Sequence, residues 1–511
     1  MLRYLSFVAS ILLATSSFSQ TIPLINSGTV IANGKNLYDS GKYEEAINEF
    51  YKVSERDTNY VLMLTEAALT WIAAEKYDKV LPVCDIGLAK PSAYTPYFLR
   101  YQAIAEDKLG NFDKSVDLFL KAIKKFPADF GMLYNLGVTF YNNKEYEKAA
   151  EQFFNVLAIN PFHSGSHLNL GRIAIGQGRK VHGMLSMGMY LSISNTDNAR
   201  LVLLNNFLDN QVTDEGSIPL FGSNEPEKLD QIIRAKIAMD KKFKSAFPVD
   251  AAVVTQFEMF FQQMQTIGEE TDDPWIRSYL PIYQYIRDQD LIEPFIYHIL
   301  SSASNTDVKK WLSKNNKSLK SFFTSVNTAI RTQREVVSLE SFGNPKPVQA
   351  WYNNDNTLNA LGEYTADEIR KGHWQFFYDN YTLSAEGDYN SQGKKTGTWK
   401  YYNNDGTLKS IEDYNTGEIT LYHPNGTKRE HFFLRDDKIH GDVELYFRCG
   451  PIKEKLTYLN GDRHGKGQSY HATGGVDLSY EYVHNKANGE FKTFYPDGSL
   501  KTVAIYKDDD L

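Results

Sequence analysis

Two histidines four residues apart, His163 and His167, are the first side chains whose types and spacing could do chemistry, since one helical face would present both to a metal. The intervening Ser164-Gly165-Ser166 supplies no catalytic glutamate, so a metalloprotease is not indicated. His440 and His464 lie 24 residues apart, each directly before a glycine, with Asn488 in the third copy; a repeat explains them. Gly171, Gly176 and Gly178 followed by Arg179-Lys180 have the composition of a phosphate loop, yet no Gly-Lys-Ser/Thr follows. Gly183-Met184-Leu185-Ser186 lacks the glycine two residues before the serine that a nucleophile elbow requires. Asp272-Asp273 and Asp508-Asp509-Asp510 lack calcium-loop spacing and read as a solvated loop and tail. A hydrolase, the third and least favoured alternative, would need two carboxylates converging in one cleft, which a sequence does not display. These residues predict no enzyme, no cofactor and no metal.

What recurs instead is framework. Tyr352, Phe377, Tyr402, Tyr422, Tyr446, Tyr470 and Phe494 are separated by 25, 25, 20, 24, 24 and 24 residues. A short unit repeated in tandem builds an extended surface by stacking, which suits binding better than catalysis. Within each unit a strand-like alternation leads through a turn to a second strand, as in Gly397 to Leu408, and Asp405-Gly406, Asn425-Gly426 and Asp497-Gly498 supply positive-φ turn residues. Gly441, Gly465 and Gly489 open three units in register, and Tyr458, Tyr482 and Tyr506 close them.

An earlier repeat, from about 27 to 200, has a helical period. An aromatic followed three residues later by a small residue recurs as Tyr43/Ala46, Phe112/Ser115 and Tyr146/Ala149, with Tyr77/Val80 a bulkier version. Gly34, Ala68, Ala103, Gly137 and Gly171 fall in the middle of each first helix, and Phe50, Cys84, Phe119, Phe153 and Met187 at the matching bulky position of each second helix. Pro127 and Pro161 end their units. From 201 to 342 no repeat is visible, but helices are predicted from Glu225 to Lys244, Ala251 to Ile267, Trp275 to Asp288, Ile292 to Ser301 and Asp307 to Arg334. They read as an extension that caps the open end of the array, with an independent helical domain as the alternative. Residues 343–347 form a turn-rich linker, and the β repeats occupy 348–507, with an acidic tail at 508–511.

The first repeat resembles the tetratricopeptide repeat, above all in Asn135-Leu136-Gly137, Phe140, Tyr146, Ala149, Phe153 and Pro161. The resemblance implies an α-solenoid of helix pairs whose concave face, lined by first helices, holds a partner's peptide or helix. By the family's groove positions the lining would include Lys35, Tyr38, Tyr97, Arg100, Tyr134, Tyr141 and Arg172. Asn135 and Asn169 suit the family's peptide-carboxylate clamp, while Ile104 and Gly165 do not. The second repeat resembles the variant MORN repeat, which implies an elongated antiparallel sheet of stacked β-hairpins used in association with proteins or membrane surfaces. Its recurring aromatics read as the sheet's own ladder, whereas Trp374, Trp399, Tyr401 and Tyr495, next to ladder positions, are candidates for an exposed aromatic face.

At the N-terminus, Arg3, the apolar stretch Leu5 to Ala14 and Ser17-Phe18-Ser19 have the form of a signal peptide, residues 1–19, cleaved before Gln20. No later stretch has the length and apolarity of a transmembrane helix. Only Cys84 and Cys449 exist, in different predicted domains, which argues against a disulfide. The net charge of −8 argues against a nucleic-acid partner. With 511 residues, 42% of them apolar, the chain has room for about three domains. The expectation is a multidomain α + β protein, exported and soluble in the periplasm, at the cell surface or outside the cell. It would act as a non-enzymatic adaptor with a protein in the helical groove and a second protein, a glycan or an envelope surface at the sheet. Glycan or peptidoglycan binding through the aromatic sheet is the alternative.

Overall fold

The computed structural model describes residues 26–510, apart from 91, 127, 195–196, 211–216, 222–230, 232–244, 265–272, 333–348, 354–357 and 366. The signal peptide expected at 1–19, the linker expected at 343–347, Pro127 and most of the helix expected from Glu225 lie outside the described residues.

Ten helices form five consecutive pairs: α1 (Ser27–Asp39) with α2 (Tyr43–Phe50), α3 (Tyr60–Ala73) with α4 (Tyr77–Leu88), α5 (Thr95–Lys108) with α6 (Phe112–Lys125), α7 (Phe130–Asn142) with α8 (Tyr146–Ile159), and α9 (Ser164–Gly176) with α10 (Lys180–Ile193). The small residues expected in the first helices do meet the bulky residues of the second. A Cβ on Gly34 would collide with the Phe50 ring, and one on Gly137 would lie 2.8 Å from Phe153. Ala68 and Cys84, like Ala103 and Phe119, are fully buried. Each buried Phe of this set contributes about 1.5–3 kcal/mol through its removal from water. Glu75 takes the left-handed conformation, φ 57°, that Gly41 and Gly110 take in neighbouring pairs, so one turn geometry survives a change of residue.

After α11 (Asn198–Leu208) come α12 (Ala252–Gln263), α13 (Pro274–Asp288), α14 (Ile292–Ile299), α15 (Thr306–Lys314) and α16 (Asn316–Thr332). The single helix expected from Asp307 to Arg334 is two: Asn315 leaves helical geometry at φ −113°, ψ 33°, and its side-chain amide donates to the Trp311 carbonyl, ending α15. Helices α12 to α14 pack on α10. Phe257 and the Tyr283 hydroxyl both crowd Gly188, Tyr283 donates to the Leu185 carbonyl at 2.9 Å, and His298 Nε2 lies 3.0 Å from the Ser192 carbonyl. The last face of the paired helices is thereby covered, and one hydrophobic core runs from Ala103 through α16.

The remaining strands form an antiparallel meander: β1 (Gln349–Tyr352), β2 (Leu358–Tyr364), β3 (Arg370–Phe377), β4 (Leu383–Tyr389), β5 (Lys395–Tyr402), β6 (Leu408–Asp413), β7 (Glu418–Tyr422), β8 (Lys428–Arg435), β9 (Lys438–Ile439), β10 (Gly441–Tyr446), β11 (Ile452–Leu459), β12 (Asp462–Arg463), β13 (Gly465–Tyr470), β14 (Val476–Val483), β15 (Lys486–Ala487), β16 (Gly489–Phe494) and β17 (Leu500–Tyr506). Every one of the seven periodic aromatics sits at a β-bulge, where register shifts at the end of its strand. The bulge leads into a hairpin whose last turn residue has positive φ: Tyr381, Gly406, Gly426, Gly450, Gly474 and Gly498. Between units, two-residue turns have positive φ at both positions, at Asp436-Asp437, Asn460-Gly461, His484-Asn485 and Asp508-Asp509. The acidic run at the end of the chain is therefore folded as the fourth member of a turn series.

Candidate protein-binding groove

Helices α1, α3 and α5 are first helices of successive pairs, and their facing residues enclose a cavity of about 320 Å³. Lys35, Tyr38 and Asp39 come from α1, Leu62, Thr65, Glu66 and Leu69 from α3, and Tyr94, Tyr97 and Tyr101 from the start and body of α5. Lys35 Nζ spans the floor to Glu66 Oε1 at 2.8 Å, and Lys35 is largely exposed, so this pair adds under about 1 kcal/mol to stability. The Arg100 guanidinium lies over the Tyr97 ring at 4.9 Å and the Tyr101 ring at 5.7 Å, and its Nη1 is 3.3 Å from Asp129, the residue that caps α7. Burial pushes the Tyr101 hydroxyl up to about 12 and raises that of Tyr38, so both are protonated donors at neutral pH.

Of the residues expected to line the groove, the structure thus brings Lys35, Tyr38 and Tyr97 into one cavity, with Arg100 stacked behind Tyr97. Tyr134, Tyr141 and Arg172 stand elsewhere. The Tyr134 ring packs on His163 at 4.6 Å and on Phe153 at 5.8 Å, and its hydroxyl accepts from Asn169, so it joins the fourth and fifth pairs. Tyr141 stacks edge-on to Tyr146, and Arg172 is near enough to oppose the upward push of burial on its hydroxyl. Glu66, Tyr94 and Tyr101 were missed. The i, i+3, i+7 tyrosine stripe of α5 was legible in the chain, and Glu66 was not, because its role depends on the neighbouring pair.

His163 and His167 are structural. His163 caps α9 by accepting from the Ser166 N–H, and buried His167 lies between the Tyr279 hydroxyl and the Pro161 carbonyl.

The expected exposed aromatic face requires correction. Trp374 and Trp399 are each only 1% exposed, Tyr401 is half-buried, and Tyr495 alone of the four is exposed, in a hairpin turn. Trp374, Phe376, Trp399 and Tyr401 stack along the sheet with 5.6, 6.2 and 6.2 Å between successive centroids. Tyr364 and Tyr389 close their flanks edge-on at 5.0 and 5.1 Å. Arg370 lies 4.9 Å over Trp374 and Lys395 4.4 Å over Trp399, and burial lowers the Lys395 ammonium. The ring faces on which a sugar would stack are taken by one another and by the chain's own cations. Room for each indole comes from Gly362 and Gly387, where any Cβ would enter the Trp374 or Trp399 ring. The glycine twelve residues before each tryptophan was the signal available in the sequence.

Fold and groove define a solenoid of tetratricopeptide-like helix pairs followed by an antiparallel sheet. The tetratricopeptide repeat model matches residues 102–164, spanning the third and fourth pairs. Among solved structures, TTC0263, a thermophilic tetratricopeptide protein of Thermus thermophilus, is 16% identical, with 36% of this chain and 98% of that chain covered and a TM-score of 0.32. MamA from Desulfovibrio magneticus RS-1 is 16% identical over 33% of this chain and 92% of its own, with a TM-score of 0.26. No curated protein matches the chain. Among the described residues, no helix is long and apolar enough to cross a membrane.

Proposed function

We propose that this chain is a non-enzymatic scaffold that holds an extended or helical segment of a partner protein in the groove of its first three helix pairs. The observation that carries this reading is the cavity between α1, α3 and α5, where tyrosine rings offer apolar area at low entropic cost and Lys35, Glu66 and the tyrosine hydroxyls offer polar anchors. The C-terminal sheet is, on this reading, an array of variant MORN hairpins that engages a second protein or an envelope surface. Two linked sites raise effective concentration when both are engaged together. The N-terminal pattern of charge, apolar stretch and small residues supports a role outside the cytoplasm, in the bacterial cell envelope.

Affinity capture from envelope extracts with the full chain tests the proposal. Wild-type protein is expected to retain a partner that the Lys35→Glu, Tyr97→Ala double variant loses, with unchanged circular dichroism. Recovery of the same partners by both proteins would contradict the groove reading.

A further inference from the structure

Tyr94, Tyr97 and Tyr101, set at i, i+3 and i+7, turn one face of α5 toward the cavity between α1, α3 and α5, and Tyr38 lines it from α1. Successive rings on α5 are inclined to one another. Tyr94 and Tyr97 have centroids 6.4 Å apart and planes at 49°, and Tyr97 and Tyr101 have 6.4 Å and 53°. Inclined neighbours leave notches between the rings. These rings are also held in place before any partner arrives: Arg100, tied to Asp129, lies over Tyr97 and Tyr101, and Tyr38 packs on Tyr43 at 5.7 Å.

The lining does not suit two common modes of peptide recognition. A strand adds to a sheet through unsatisfied backbone groups, and these walls are helices whose backbone bonds are internal. A helix docks through a broad aliphatic stripe, and among the described residues the cavity offers two leucines, Leu62 and Leu69, both on α3. Nor does charge select a strongly charged segment. Lys35 is paired with Glu66 and Arg100 with Asp129, which leaves Asp39, on the exposed rim, among the charged side chains around the cavity. What remains is aromatic surface and hydroxyl groups. Among the described residues, the Tyr38, Tyr94 and Tyr97 hydroxyls make no hydrogen bond within the protein, so three donors are open to a ligand's carbonyls.

On the reading that the groove holds the partner, on which this step rests, we propose that the segment held there is proline-rich and in the polyproline II conformation. Such a helix has three residues per turn and rises ~3.1 Å per residue, so its ridges recur about every 9 Å. From Tyr94 to Tyr101, seven residues at ~1.5 Å each, the tyrosine face of α5 advances about 10 Å. One turn of the ligand therefore spans it. Pyrrolidine rings fill the notches between tyrosines, and the ligand's carbonyls, which this conformation leaves unbonded, accept from the tyrosine hydroxyls. Proline has no N–H and so asks nothing of walls whose helical carbonyls are already bonded.

Titration of a fluorescein-labelled deca-proline peptide with the full chain, read by fluorescence anisotropy, tests the proposal. Saturable binding is expected with a Kd below about 300 µM, and none for a Gly-Ser peptide of equal length. The Tyr38→Ala, Tyr97→Ala variant should bind at least tenfold more weakly with unchanged circular dichroism. Should loss of the rings disturb the helices, Tyr38→Phe, Tyr97→Phe keeps them and withdraws two donors; binding at least threefold weaker is expected, and undiminished binding overturns the assignment. Equal affinity for the two peptides also overturns it. No deca-proline binding up to about 500 µM chain, while a photoreactive residue at position 97 still captures a partner in the native cell, removes the proline-rich ligand and leaves the groove. Failure of both removes the groove itself.

Discussion

The ring of Tyr381 meets the ring of Phe130 edge-on, with 5.0 Å between centroids and 89° between planes, and so ties the first helix of the fourth pair to a hairpin turn of the sheet. Tyr381 holds φ 61°, where the later hairpins have Gly406, Gly426, Gly450, Gly474 and Gly498. A side chain in that conformation costs roughly 1–2 kcal/mol, and the contact between the two halves offsets it. The next turn accommodates the same edge from the other side: a Cβ on Gly406 would lie 3.0 Å from Phe126.

A double-mutant cycle of Phe130→Ala and Tyr381→Ala on the full chain is therefore expected to give a coupling energy of about 1 kcal/mol in denaturant unfolding. Additive effects would show that the two rings do not support one another. Tyr381→Gly should relax the turn while losing the same coupling to Phe130.

Gly387→Ala forces a methyl into the Trp399 ring, which is buried and has neighbours on both faces. The expected cost is about 1–3 kcal/mol, with a red shift of tryptophan emission. Gly426→Ala, whose Cβ would meet nothing within 4 Å, should cost only the roughly 1 kcal/mol of its positive φ. Equal losses in the two variants would contradict the assigned packing.

The buried histidines set a pH dependence. His167 Nε2–H donates to the Pro161 carbonyl at 2.8 Å, and its Nδ1 accepts from the Tyr279 hydroxyl at 2.7 Å, a pair of partners only the neutral ring satisfies. Burial pushes both His163 and His167 down to about 4. Unfolding exposes rings that take up protons near pH 6.5, so between pH 6.5 and about 4 the unfolded chain binds protons that the folded chain refuses. Stability falls across that window and is unaffected by these rings above it; for His167 the loss is on the order of 3 kcal/mol by pH 4. Urea unfolding at several pH values should show a shallower acid loss in His167→Gln than in wild type, and parallel curves would contradict the assignment.

The proposed export makes a prediction at the N-terminus. Protein recovered from the envelope of the native cell is expected to begin at Gln20. A mature chain that still begins at Met1 would remove the basis for an extracytoplasmic role.

The helical half was largely legible because its signals are local and periodic. Gly34 with Phe50 and Gly137 with Phe153 are separated by the same number of residues, and a small residue facing a large one has one physical meaning in a helix pair. The sheet was legible in its period but not in its faces. A β-bulge at each recurring aromatic shifts the alternation, so Trp374 and Trp399, counted back from Phe377 and Tyr402, fall inside rather than outside. Nor could spacing show that Tyr381 leaves its own unit for Phe130, or that Lys35 reaches Glu66, because both depend on how distant segments dock. Of the groove, the tyrosines of α5 could be read in advance; the enclosure that joins them to α1 could not.

Site-specific photocrosslinking in the native cell tests the central claim most directly. A photoreactive residue at position 38 or 97, in the cavity between α1, α3 and α5, is expected to capture one discrete partner protein, while the same residue at exposed Ile86 or Leu120 on second helices captures none. Equal capture at all four positions, or capture confined to positions 86 and 120, would contradict a scaffold that grips its partner through this groove.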